Sequence, residues 1–162
     1  MNAGLSQENW ENLMPQERSS RQLREYGQKR LLQQATNIQE AHNSNYGVNA
    51  CGDNYWVMFD YNRGYADDLE ASGIMSLERL PKFSYDFFRS QRSPDKNPVV
   101  RIADYREEKD TLNREVRVFS NAEYVELWLN GNLVEKRMPD KDVFSENLPH
   151  PPFTFKVPEY KE

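Results

Sequence analysis

The stretch Tyr55-Trp-Val-Met-Phe-Asp-Tyr-Asn-Arg-Gly-Tyr65 decides the fold of the chain around it. Its first half predicts a strand over residues 54–60, because side chains on a strand alternate between two faces and both faces here are aromatic or apolar. Such a strand is usually covered on both sides, as in a parallel sheet packed with helices. Asp60 ends the strand, and Asn62, Arg63 and Gly64 turn the chain into a loop.

Polar side chains therefore collect at the carboxyl end of this predicted strand, where α/β barrels place their active sites. Asp60, Asn62 and Arg63 can hydrogen-bond hydroxyl groups, while the rings of Trp56 and Tyr65 can stack on an apolar ring. A sugar pocket needs that combination. The alternative reading is a buried strand that is capped by an Asp turn and carries a surface arginine.

Helical patterns lie on both sides of this strand. Ser19-x-x-Gln22 is typical of a capping box, and apolar residues at three- and four-residue steps predict a helix over residues 19–43. Pro81 suits the first turn of a second helix over residues 81–91, with Phe83, Phe87 and Phe88 as its apolar side. The order helix–strand–helix is one unit of an α/β fold.

The pattern changes after the turn-rich segment 93–98. Short alternating segments predict strands at residues 99–105, 115–120, 124–129, 133–137 and 153–157. Asn130-Gly131 between two of them is a strong hairpin signal, because both residues tolerate the positive φ of a type I′ turn. The sequence therefore predicts two parts: an α/β portion over residues 1–94 and an antiparallel sandwich over residues 95–162.

Composition excludes several classes of function. The 162 residues carry 21 Lys and Arg against 26 Asp and Glu, and no basic patch emerges, so we expect no nucleic-acid partner. No apolar run is long enough to span a bilayer, so no membrane partner is expected either. Cys51 is the single cysteine, and His42 and His150 lack ligand partners at metal spacing. We therefore expect no metal and no cofactor, and a structural role for His42 near a helix end.

Several blocks of the sequence resemble the C-terminal part of the glycoside hydrolase family 2 β-galactosidases, in particular those of the Bacteroidetes type. In the first portion they are Asp60-Tyr-Asn-Arg-Gly-Tyr65, Ser72-Gly-Ile-Met75, Arg79-Leu-Pro-Lys-Phe83 and Phe87-Phe-Arg-Ser-Gln-Arg92. In the second they are Val118-Phe-Ser-Asn-Ala122, Val125-Glu-Leu-Trp-Leu-Asn-Gly131 and Asn147-Leu-Pro-His-Pro-Pro-Phe-Thr-Phe155. Their order and spacing make the resemblance far more specific than any single block.

The resemblance implies a fold and a position within it. Residues 1–94 correspond to the last helix–strand–helix portion of a (β/α)8 TIM barrel, and residues 95–162 to a partial immunoglobulin-like β-sandwich. The chain is then a fragment, and its partners are the remainder of its own barrel and sandwich domains. The family also implies a periplasmic or extracellular location.

The resemblance further implies a retaining glycosidase that removes a terminal β-linked, galactose-like sugar. Both catalytic glutamates are expected upstream of Met1, so the chain alone should be inactive. Trp56 and Asp60 would lie near the carbohydrate substrate, with Asn62 and Arg63 in the loop above. The alternative is a non-catalytic carbohydrate-binding or adhesion module, for which a barrel-type helix such as the one at Arg79-Leu-Pro-Lys-Phe83 would serve no purpose.

Overall fold

A computed structural model describes residues 22–23, 27–48, 50–64, 69–105 and 115–157. The chain divides into two compact units, Met1–Asp86 and Phe87–Glu162. Both helices and antiparallel strands are present. In the described part of the chain, no helix is both long enough and apolar enough to cross a membrane.

The first unit contains the helix α1 (Gln28–Tyr46). Leu31, Ala35 and Ile38 are buried along one side of it, as their spacing predicted. The helix begins later than the predicted residue 19, because Gly27 has φ of 88°, a left-handed conformation that a helix cannot continue through. Gln22 and Leu23 are not helical, and Ser19 of the predicted capping box lies outside the described residues.

The predicted strand over residues 54–60 is not a regular strand, which corrects the sequence-based assignment. Phe59 forms a single parallel bridge with Met75, and the Asp60 amide donates to the Met75 carbonyl over 3.0 Å. Trp56 and Met58 are more than half exposed, so the two faces are not both covered. The pattern of side chains is that of a strand, but within the described residues the segment hydrogen-bonds along only one edge, to residues 74–75.

A short antiparallel pair follows this segment. It joins β1 (Tyr61–Asn62) to β2 (Leu69–Glu70), with Tyr61 opposite Glu70. The second helix, α2, runs over Phe83–Ser90, two residues after Pro81. Pro81 was expected in the first helical turn and instead forms a bridge with Met75. Phe83 and Phe87 are buried on α2, as predicted.

The second unit contains the strands that the alternating segments predicted. They are β3 (Val100–Ile102), β4 (Glu115–Ser120), β5 (Val125–Leu129), β6 (Asn132–Arg137) and β7 (Phe153–Lys156). One antiparallel sheet has the order β3-β4-β7, and β5 pairs with β6 in a hairpin. Asn130 and Gly131 have φ of 51° and 81°, the positive values that the turn between β5 and β6 requires.

A small apolar core lies between these strands. It consists of side chains from β4 and β7, namely Val116, Val118, Phe153 and Phe155, which are at most 3% exposed. Val125 and Leu127 of β5 pack against it, and Trp128 on the opposite face is 56% exposed. The predicted alternation along β5 is therefore confirmed.

Candidate functional site

Trp56 is one of the exposed side chains among the predicted site residues. It is 70% exposed, and its ring meets the Tyr61 ring edge-on, with centroids 6.2 Å apart and an interplanar angle of 83°. In a T-shaped contact the edge of one ring meets the face of the other, so Tyr61 engages at most one indole face. An exposed indole face of this kind can stack on the C–H face of a sugar.

Asp60 is the opposite case, because it is only 1% exposed. Its Oδ1 accepts hydrogen bonds from Lys82 Nζ at 2.8 Å and from the Gly73 amide at 2.9 Å. Its Oδ2 is buried without a hydrogen-bond partner among the described residues. Burial raises the pKa of the Asp60 carboxyl above its usual value, and the Lys82 ammonium opposes that rise.

Gly73 allows Asp60 to come this close. A Cβ at position 73 would lie 2.3 Å from the Asp60 amide nitrogen and 2.5 Å from the Phe59 carbonyl carbon. Distances of that size are far inside van der Waals contact, so only glycine fits between the two segments. The backbone of residues 72–74 is thereby packed directly against residues 59–60.

A buried polar network surrounds this contact. Gln34 on α1 donates through Nε2 to the carbonyls of Ser72 and Gly73, at 3.0 and 2.9 Å. Ser84 on α2 donates to Gln34 Oε1 at 3.0 Å. The backbone carbonyls of residues 71–73 accept these hydrogen bonds from side chains, namely Gln34 and Lys82, in place of the backbone donors that strand pairing would supply.

Tyr55 belongs to the same network. Its hydroxyl donates to the Ser72 carbonyl at 2.7 Å, and burial raises the pKa of the phenol to about 12. The neutral phenol is the form that donates this hydrogen bond, so burial and hydrogen bonding both require the protonated side chain.

Arg63 follows β1 outside any strand, as the predicted loop requires, whereas Asn62 was expected in that loop and instead ends β1. Asn62 is exposed on β1. Arg63 donates to Glu70 Oε2 over 2.6 Å, and both side chains of this pair are about 15% exposed. The pair fixes the guanidinium group against β2. Tyr65, which the sequence placed beside these residues, lies outside the described residues.

The four predicted residues thus differ in kind: Trp56 and Asn62 are exposed, whereas Asp60 and Arg63 are held in ion pairs. Sequence reasoning missed Lys82, Gln34 and Gly73. The signal for Lys82 was its position between Pro81 and Phe83, where an apolar flank on both sides hints at a buried lysine. No comparable signal marked Gln34.

A separate cavity of about 220 Å³ lies at the end of α1, beside His42, Cys51 and Asp53. His42 Nδ1 is 2.5 Å from Asp53 Oδ2, and the His42 ring meets Tyr46 edge-on. These contacts hold the His42 ring at the end of α1. Among the described residues, no three His, Cys, Asp or Glu side chains are grouped so as to hold a metal ion.

Comparisons with known proteins place these features in context. Residues 113–162 match a domain of unknown function (DUF4982). The chain is 40% identical over 126 residues to a curated beta-galactosidase of Thermoanaerobacter pseudethanolicus, covering 70% of this chain and 16% of that protein. It is 30% identical over 105 residues to a beta-galactosidase of Thermoanaerobacterium thermosulfurigenes, covering 60% of this chain and 14% of that protein.

Two solved structures share the fold. An FMN-binding beta-glucuronidase from Facaelibacterium prausnitzii L2-6 aligns with a TM-score of 0.53 at 22% identity, over 82% of this chain and 19% of the other. A Bacteroides uniformis beta-glucuronidase aligns with a TM-score of 0.54 at 21% identity, over 85% of this chain and 16% of the other. The chain thus spans about one-sixth of the length of the curated relatives that it matches.

Proposed function

We propose that this chain belongs to glycoside hydrolase family 2 and forms part of a retaining glycosidase acting on terminal β-linked, galactose-like sugars. The observation that carries the proposal is the 40% identity over 126 residues to a protein named beta-galactosidase. The solved structures named beta-glucuronidase, at 21–22% identity, support the fold alone. The choice of sugar therefore rests on the sequence relatives named beta-galactosidase.

The proposal extends to the architecture. Residues 1–94 would be the last helix–strand–helix portion of a (β/α)8 barrel, and residues 95–162 part of an immunoglobulin-like sandwich. The parallel bridge between Phe59 and Met75 supports the first assignment, and the antiparallel sheets of the second unit support the other. The remaining barrel and sandwich domains would be partners of this segment.

Retaining hydrolysis sets the chemistry. One carboxylate attacks the anomeric carbon while a second carboxylic acid, about 5 Å away, protonates the leaving oxygen. Water then releases the sugar, with the second group acting as base. In this proposal both glutamates come from parts of the protein outside residues 1–162, and this segment supplies one wall of the sugar pocket.

Each residue of that wall has a role that its environment supports. Trp56, at 70% exposed, would stack on the apolar face of the sugar. Asp60 is buried beneath the wall and would hold it in place through its hydrogen bonds with Lys82 and the Gly73 amide. Asn62 would contact the sugar from β1, and Arg63 would do so from the position in which Glu70 holds it.

Hydrolysis assays of the complete gene product test this function. We expect turnover of an aryl β-D-galactoside with retention of configuration at the anomeric carbon. Nuclear magnetic resonance of the first-formed sugar measures that configuration. An aryl β-D-glucuronide serves as the comparison substrate, because it has the opposite configuration at C4 and carries a carboxylate in place of the hydroxymethyl group at C5. Preference for the glucuronide would overturn the choice of sugar, and absence of any turnover would overturn the enzyme assignment.

A non-catalytic carbohydrate-binding module is the second candidate, and Trp128 is the observation that favours it. This side chain is 56% exposed on the outward face of β5, and its indole N–H donates to Glu126 at 3.1 Å. Binding of galacto-oligosaccharides without hydrolysis, abolished by Trp128→Ala and unaffected by Trp56→Ala, would favour this second function.

A further inference from the structure

Lys82 is a lysine with a fully buried side chain, immediately before α2. Its ammonium donates to Asp60 Oδ1 and to the Ala71 carbonyl, each over 2.8 Å. Burying an ammonium is costly unless it is paired and hydrogen-bonded, and here both conditions are met. A well-packed apolar residue would satisfy the same space without that cost, so the charge needs an explanation other than stability.

The ammonium joins three segments that are far apart in the sequence. It links position 82 to Asp60 and to Ala71, while the Gly73 amide bonds to the same Asp60 oxygen. The backbone of Asp60 is held as well, through its amide to the Met75 carbonyl. The Asp60 carboxylate therefore has a fixed orientation, with Oδ1 in both hydrogen bonds and Oδ2 buried.

We propose that Lys82 is a positioning residue for the sugar-binding wall: its buried ammonium fixes the Asp60 carboxylate and, through it, the segment that carries Trp56, Asn62 and Arg63. This inference rests on the proposed function. Lys82 would not touch the sugar itself, because its side chain is fully buried. Its effect on binding would pass entirely through Asp60.

The charges around Asp60 determine how the site responds to pH. Burial raises the pKa of Asp60 and the Lys82 ammonium opposes it, while Glu70 adds a further rise. Tyr55 faces the same carboxyl, and Arg63 is paired with Glu70. Removing the Lys82 charge leaves burial and Glu70 acting together, so Asp60 would take up its proton at a higher pH.

Steady-state kinetics of the complete gene product test the proposal, using Lys82→Met, Lys82→Arg and the exposed control Lys96→Met. We expect Lys82→Met to lower kcat/KM for an aryl β-galactoside about tenfold near neutral pH and to move the acid limb of its pH profile up by about one pH unit. Lys82→Arg keeps the charge and should keep the limb in place. An acid limb that stays at its wild-type position in Lys82→Met would overturn the proposal, whatever the change in Tm.

A second readout needs no activity. Hydrogen exchange followed by mass spectrometry on the peptide covering residues 71–75 reports the Gly73 amide bond to Asp60. We expect exchange there to be roughly tenfold faster in Lys82→Met and unchanged in Lys96→Met. If the complete protein hydrolyses no glycoside, the proposed function fails while this readout still tests the link between Lys82 and Asp60. Unchanged exchange in Lys82→Met would disprove that link.

The double variant Asp60→Asn/Lys82→Met covers the case in which Lys82→Met does not fold. It buries no unpaired charge, so we expect it to fold with a kcat/KM close to that of Asp60→Asn alone, because Lys82 acts through Asp60. Losses in the double variant that equal the product of the two single losses would show that Lys82 acts independently, against the proposal.

Discussion

Trp56 and Trp128 are both more than half exposed, and Trp56 is close in sequence to the predicted sugar-binding residues Asp60, Asn62 and Arg63. We predict that Trp56→Ala in the complete enzyme lowers kcat/KM roughly five- to thirtyfold, equivalent to about 1–2 kcal/mol of lost stacking. Its Tm should barely change, because the side chain buries little surface. Trp128→Ala is the matched control, and equal kinetic losses in both variants would contradict the assignment.

Gly73 gives a prediction about stability. Gly73→Ala must push the backbone of residues 59–60 away from residues 72–74, because the new Cβ would lie 2.3 Å from the Asp60 nitrogen. We expect the free energy of unfolding to fall by about 1–3 kcal/mol or more. Gly47→Ala is the control, since Gly47 has φ of −73° and an alanine fits that conformation. Equal urea midpoints for the two variants would show that the close approach is absent.

Tyr55 gives a prediction about pH. The pKa of its phenol is raised from 10.0 to about 12 in the folded chain, so the folded state keeps a proton that the unfolded state loses between those values. Stability from this group is therefore present below pH 10 and falls as the pH rises towards 12. Tyr55→Phe should show a shallower loss of stability across that window in urea unfolding. The same slope in both proteins would contradict the raised pKa of this phenol.

Among the elements, β4 should be the most protected strand. It pairs with β3 on one side and β7 on the other, and Val116, Val118 and Phe119 on it are at most 3% exposed. The β5–β6 hairpin has one partner per strand and an exposed outer face. We expect amide exchange to be slowest in residues 116–119. Slower exchange in the hairpin would mean that its local turn, not burial, sets the protection.

The elements also show which parts of the fold could be predicted. Strands β4 to β7 follow from alternation and from a two-residue turn, which are local properties of the sequence. The strand expected over residues 54–60 has the same local pattern, but a strand also requires neighbours, and these depend on distant residues. The beginning of α1 was misplaced because nothing in the helical spacing reveals that Gly27 takes a positive φ.

At the scale of the whole molecule, the site could be predicted only where its residues are neighbours in sequence. Trp56, Asp60, Asn62 and Arg63 fall within one short loop-forming stretch, and the structure keeps them there. The residues of the buried network beneath them are not neighbours in sequence. Ser84 donates to Gln34 across 50 positions, and Lys82 donates to Asp60 across 22. No periodic pattern relates such positions, so the buried network could be found only from the structure.

The whole-molecule prediction concerns activity. The 162-residue chain alone should not hydrolyse an aryl β-galactoside above background, because retaining hydrolysis needs two suitably spaced carboxyl groups that the proposal assigns elsewhere. The complete gene product, assayed under the same conditions, is the positive control. Turnover by the chain that disappears in Glu70→Gln would show that the catalytic carboxyl groups lie within it.

The fit at Gly73 has a consequence for how this protein can change over generations. Every other amino acid carries a Cβ, so no missense change in this codon preserves the contact with residues 59–60. A tolerated replacement would need a simultaneous backbone rearrangement on the facing segment, which a single nucleotide change does not supply. In a saturation library, variants with any residue other than glycine at position 73 should therefore be depleted. The glycine at this position would then serve as a reference point for aligning distantly related sequences.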